Sequence, residues 1–107
     1  VKTRHYSVYV VELDSAILKN RKFQEQNPDR QTGKLCLYVG MTGLEPAKRY
    51  ENHKKGYKSS AKVKKFGKCL RPDLFPPGNP MTYSDATAKE TAWADQLRSR
   101  GYAVWQH

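Results

Sequence analysis

Residues 6–13, Tyr-Ser-Val-Tyr-Val-Val-Glu-Leu, read as a β-strand. They are β-branched and aromatic, with Tyr6, Val8 and Val10 on one face and Tyr9, Val11 and Leu13 on the other. Residues 35–40, Leu-Cys-Leu-Tyr-Val-Gly, read as a second strand. The two are expected to pair as a wide hairpin. The polar connection at 14–34 has Asn27-Pro28-Asp29 and Thr32-Gly33 as turn signals and room for a short helical turn near Ala16–Lys19.

Downstream of the hairpin the period changes. Pro46 suits the first turn of a helix and Gly56 its end, with Lys54 and Lys55 complementing the dipole in the last turn. Ala47 and Tyr50 are expected to face the core, and Arg49 and His53, at i and i+4, share a face beside them. A short helix is expected from Ser60 to Phe66, stopped by Gly67, with Val63 and Phe66 inward. Four prolines make 70–83 a loop pinned by Leu70, Leu74 and Phe75. The strongest helical pattern is Ser84–Arg100, with Ser84 as N-cap and Ala86, Trp93 and Leu97 as its apolar stripe. Tyr-Ala-Val-Trp at 102–105 reads as a closing strand. The order implies one α+β domain spanning 1–107, a small antiparallel sheet with helices packed on it.

Composition limits the core and the function classes. Of 107 residues, 37% are hydrophobic, with one Ile, so the core must lean on seven Tyr and two Trp. No run is long and apolar enough to span a membrane as a helix. The two cysteines, Cys36 and Cys69, exclude a disulfide scaffold, and no zinc-type spacing occurs. The first residues lack the apolar centre of a secretory signal, which sets the expectation of an intracellular setting with both thiols reduced.

The formal charge of +10 is concentrated. Residues 44–71 carry ten Lys or Arg against two Asp or Glu, whereas 72–107 carry three against four. Such a stripe reads either as a solvated face or as a polyanion-binding one, and its clustering favours nucleic acid. Lys54, Lys55, Lys58, Lys62, Lys64, Lys65 and Lys68 are the candidates to grip a phosphate backbone.

Glu90 is the most informative single residue. At 100° per residue it falls among Ala86 and Trp93, on the buried stripe. A carboxylate there reads either as a structural partner for a cation or as a metal ligand or general base. Arg49 with His53 reads either as two solvated groups or as a phosphate fork beside a titratable imidazole. Tyr9 and Tyr38, on neighbouring strands, are packing residues unless their phenols converge with the Arg and the Glu.

Taken in order, these residues resemble the GIY-YIG nuclease superfamily. Ser7-Val8-Tyr9 and Tyr38-Val39-Gly40 look like the two halves of its signature, Thr42-Gly43 follows the second half, Arg49-x-x-x-His53 sits on the next helix, and Glu90 lies on a late helix. The resemblance spans residues 6–105. The chain departs from the pattern at Ser7, where the family has Gly, and at Val8 and Val39, where it has Ile. The 14–34 connection is longer than the family's compact hairpin, and the family's late Asn has no assigned match.

The resemblance implies a three-stranded antiparallel sheet flanked by helices and a metal-dependent endonuclease acting on nucleic acid, DNA in preference to RNA. It implies Tyr9, Tyr38, Arg49, His53 and Glu90 as catalytic residues, with Glu90 holding one Mg²⁺ or Mn²⁺. One carboxylate agrees with a single-metal site, since two-metal nucleases need several. A tyrosine would position or deprotonate water, Arg49 would neutralise charge on the phosphate, and His53 would relay a proton or orient the tyrosine. Products would carry a 5′-phosphate and a 3′-hydroxyl. A domain this small implies that a partner or a larger parent protein supplies specificity. A catalytically weak DNA- or RNA-binding module on the same scaffold is the alternative, and a basic protein-interaction domain without an active site is the third.

Overall fold

The computed structural model describes residues 3–57 and 59–106. Its elements run β1 (Ser7–Leu13), a 3-10 turn (Ser15–Lys19), α1 (Arg21–Gln26), β2 (Cys36–Thr42), α2 (Pro46–Lys55), α3 (Ala61–Phe66), β3 (Gly67–Leu70), a second 3-10 turn (Pro72–Leu74), α4 (Tyr83–Ser99) and β4 (Ala103–Gln106). No helix among the described residues is long and apolar enough to cross a membrane.

The α+β class and the β1–β2 hairpin agree with the sequence reading. The two strands pair antiparallel from Ser7↔Thr42 to Leu13↔Cys36. The sheet itself differs: it has four strands in the order β3-β1-β2-β4, and it is mixed rather than three-stranded antiparallel. Two causes account for this. The chain leaves α3 directly into β3, which pairs antiparallel with the free edge of β1; in sequence, Gly67 had looked like a helix stop alone. Then α4 carries the chain across one face of the sheet, so β4 enters beside β2 running parallel to it.

Alternation along the strands divides the core in two. Val8, Val10, Leu37, Val39 and Val104 face α4, where Ala86, Trp93, Ala94 and Leu97 complete the cluster. Tyr9, Val11, Leu13, Cys36 and Tyr38 face the other way, against Val63 of α3 and the insertion residues Ile17 and Phe23. The helix starts are adjusted in detail. Thr82, rather than Ser84, caps α4, its hydroxyl accepting from Asp85 N–H at 3.2 Å. In α2, Ala47 is exposed and Tyr50 half-buried; the helix is turned so that His53 is its buried residue.

The 14–34 connection is an ordered part of the fold. Asp14 and Asn20 cap its two helical turns through their side chains. Phe23 stacks on Trp105, centroids 6.3 Å apart. Asn27, 2% exposed, joins the insertion to β4. Its amide donates to Val104 O at 3.1 Å and to Phe23 O at 2.8 Å. Its carbonyl accepts from Val104 N–H at 2.7 Å and from Arg98 Nε at 3.1 Å. Removing this side chain strands several buried polar groups at once. Asn27→Ala is expected to lower stability by about 3 kcal/mol, seen as a lower urea midpoint at an unchanged m-value.

Candidate functional site

The β1–β2 register brings Tyr9 and Tyr38 together. Tyr9 lies opposite Gly40, and Tyr38 lies two residues from Gly40 on the same face. A Cβ at position 40 would sit 2.9 Å from Tyr9 Oη and 2.9 Å from Tyr38 Cε1. The rings, each 1% exposed, have no room to give way. Glycine at 40 is therefore required by the crossing of two aromatic rings, with centroids 6.1 Å apart, rather than by a turn.

His53 reaches the same point from the last turn of α2. Its Nε2 lies 2.7 Å from Tyr9 Oη, and its ring meets Tyr38 edge-on. The backbone N–H of Ser60 donates to His53 Nδ1 at 3.0 Å. With Nδ1 accepting, the neutral ring carries its proton on Nε2 and donates to Tyr9. In this arrangement His53 orients the Tyr9 oxygen and does not take its proton. The Ser60 side chain caps no helix; it hydrogen-bonds Tyr38 instead.

Burial pushes the Tyr9 phenol far above its ordinary value, and Tyr38 adds to the shift while Arg49 opposes it. Burial also raises Tyr38; the Tyr9 hydrogen bond, Arg49 and Ser60 pull it down, and Glu90 pushes it up. Arg49, half-buried on α2, thus acts on both phenols and also donates to the Tyr57 carbonyl at 3.5 Å.

Glu90 is on the buried face of α4, as its place on the wheel predicts, at 8% exposure. Its Oε2 is buried and has no hydrogen-bond partner among the described residues. Burial holds the carboxyl above the usual carboxylate range, against a hydrogen bond from Gln106. Gln106 and Ser60 are the participants that sequence reasoning missed. Ser60 looked like no more than the start of a short helix, and the signal for Gln106 lies in the parallel register, which sets it beside Val39 and next to Tyr38.

The basic residues divide. Lys54 is spent within the fold, donating to the carbonyls of Lys64 and Gly67 at 3.3 and 2.9 Å, at the end of α3. Lys55 pairs with Glu51, and Lys68 with Glu12. Lys62 lies over the Trp105 ring and Lys65 over Phe66. Lys64 approaches Gly56 and is exposed. Lys58 lies outside the described residues.

No group of three or more His, Cys, Asp or Glu able to hold a metal occurs among the described residues. What the site offers a cation is one carboxylate with an unpaired buried oxygen, and that suits an ion such as Mg²⁺ that keeps most of its water. No family model, curated protein or solved structure matches the chain.

Two outcomes follow from this geometry. Gly40→Ala is expected to cost about 1–3 kcal/mol of stability and to remove the His53 Nε2–H resonance shift caused by Tyr9, read by ¹⁵N NMR. For Glu90, folding raises the carboxyl pKa, so the folded state holds its proton more tightly than the unfolded chain. That contribution is fully present below the unfolded value and is lost as pH rises through the folded one. Glu90→Gln should therefore be more stable than wild type at neutral pH, by about 1 kcal/mol, and the two should converge below pH ~4; denaturant melts across pH check this.

Proposed function

We propose that this chain is a metal-dependent endonuclease of the GIY-YIG type, hydrolysing phosphodiester bonds in nucleic acid, DNA in preference to RNA. The observation that carries the reading is the Tyr9–His53–Tyr38 cluster under the influence of both Arg49 and Glu90, with Glu90 keeping an unpaired buried oxygen. Structural carboxylates at such depth are normally satisfied. A single unsatisfied one that acts on the same phenol as a guanidinium suits a cation-assisted phosphate site.

Glu90 would hold one Mg²⁺ or Mn²⁺, with Gln106 orienting its carboxyl. Such an ion, when bound, supplies positive charge to the scissile phosphate and the departing 3′ oxygen. Arg49 neutralises charge that builds on the non-bridging oxygens. Tyr9 receives a hydrogen bond from His53, which fixes its oxygen and leaves its own proton directed away from the imidazole. Its raised pKa favours a role as a neutral group that positions water over one as a phenolate base. Exposed lysines of the middle segment, Lys64 and Lys65 foremost, attract the backbone without reading bases.

The near-complete burial of both phenols favours a second reading, a DNA- or RNA-binding module with weak or no catalysis. The two part on one experiment. Supercoiled plasmid should be nicked with Mg²⁺ or Mn²⁺ and not with EDTA, and Arg49→Ala or Glu90→Ala should cut the rate by about 100-fold or more. Salt-sensitive binding without nicking would select the binding module. A companion measurement needs no activity: Mg²⁺ at ten times its Kd should stabilise the wild type by about 1.4 kcal/mol and leave Glu90→Gln unmoved.

A further inference from the structure

Two of the large side chains most exposed in this protein, Tyr83 at 61% and Leu44 at 48%, flank the same end of the β1–β2 hairpin. Tyr83 stands edge-on to Tyr6 with centroids 5.2 Å apart, and Tyr6 lies 4.4 Å from the His5 ring. The three rings form a short aromatic ladder, with His5 and Tyr83 exposed and Tyr6 half-buried against the core. It is held from below. Tyr6 and Met81 exchange both backbone hydrogen bonds, at 2.9 and 2.6 Å, and the Thr82 cap fixes Tyr83 as the first residue of α4. The turn after β2 passes so close that a Cβ on Gly43 would lie 3.2 Å from the Tyr6 ring and 3.4 Å from His5. The platform is therefore built before anything binds to it, and exposed aromatic rings on a fixed backbone lose little freedom on stacking.

The surroundings are open and carry cationic and imidazole groups. A hollow of about 380 Å³ lies against His5, Tyr6 and Tyr83. A larger groove of about 660 Å³ adjoins it at His5 and runs between Arg4, Leu44, Glu45 and Phe75. Ser7, on that groove, and Tyr9 are successive residues of one strand face, roughly 7 Å apart, whereas Tyr6 packs on the opposite, α4 face of the sheet. The lysines of α2 and α3 lie downstream of Arg49, on other elements.

We propose that the His5–Tyr6–Tyr83 ladder is a stacking site for unpaired bases, so that single-stranded DNA is held there in preference to duplex. Base stacking on aromatic rings is sequence-tolerant and needs unstacked bases, which a paired duplex does not offer. The net charge of +10 suits a polyanion, and on the groove Arg4 offsets Glu45. The stacking site does not rest on the nuclease reading.

The test uses metal-free binding. A single-stranded oligonucleotide carrying 2-aminopurine should be quenched by the wild-type protein, and a blunt duplex of equal length should bind without comparable quenching. Tyr83→Ala should remove the quenching and weaken single-strand binding about tenfold, with duplex binding changed less than twofold. Tyr83→Phe should behave as wild type, because the ring and not the hydroxyl is used. Lys64→Ala with Lys65→Ala should weaken both substrates alike. Equal losses on both substrates in Tyr83→Ala, or no loss, would overturn the proposal. So would a concentration-dependent dimer that Tyr83→Ala abolishes while single-strand binding is unchanged, since the patch would then serve contact between copies of the chain. A protein that quenches but never nicks refutes the nuclease reading and leaves the stacking site standing, whereas nicking without quenching does the reverse.

Discussion

Two tyrosine rings cross a strand gap that only glycine leaves open. Gly40 sets how closely Tyr9 and Tyr38 approach, and their approach sets where His53 can end. His53 in turn receives Ser60 N–H, which ties the start of α3 to the end of α2. One missing side chain thus fixes the spacing of a strand pair, two helices and four polar groups. Small hydrophobes could fill the same volume. They could not carry a hydrogen bond from imidazole to phenol through a region closed to water, and an unmade bond at that depth would be costly.

The same face shows how a polar network and a thin core coexist in one small domain. Aliphatic residues are scarce, so aromatic rings provide bulk, and each polar tip needs a partner. Trp93 meets this need outside the cluster by donating to Leu74 O at 2.8 Å. Tyr9 meets it within the cluster. Glu90 stands apart, because one of its oxygens has no such partner among the described residues and burial disfavours its charged form. A lone acid on an otherwise apolar helix face is a poor choice for stability and a reasonable one for chemistry.

Much of this was legible in the chain. Alternation in 6–13 and 35–40 gave the hairpin and its two faces, because a period of two leaves no freedom about which side chains share a face. Helical spacing put Glu90 on the buried stripe of α4 and Arg49 and His53 on one side of α2. What was hidden depended on contacts distant in sequence. β3 has four residues and gains its identity from the edge of β1. The direction of β4 follows from the path of α4, and the partnership of Gln106 with Glu90 follows from that direction. The inward turn of His53 is decided by the tyrosine it meets, and nothing local to α2 announces it.

Asn27 has a role beyond holding the insertion in place. By both donating to and accepting from Val104, its amide imitates one residue of a neighbouring strand along the outside of β4. Strand borders with unoccupied backbone groups invite other chains to add to the sheet. The polar insertion therefore acts as a built-in plug against such accretion, and a feature that looks like a mere lengthening of the hairpin helps keep this aromatic-rich domain from growing into ribbons.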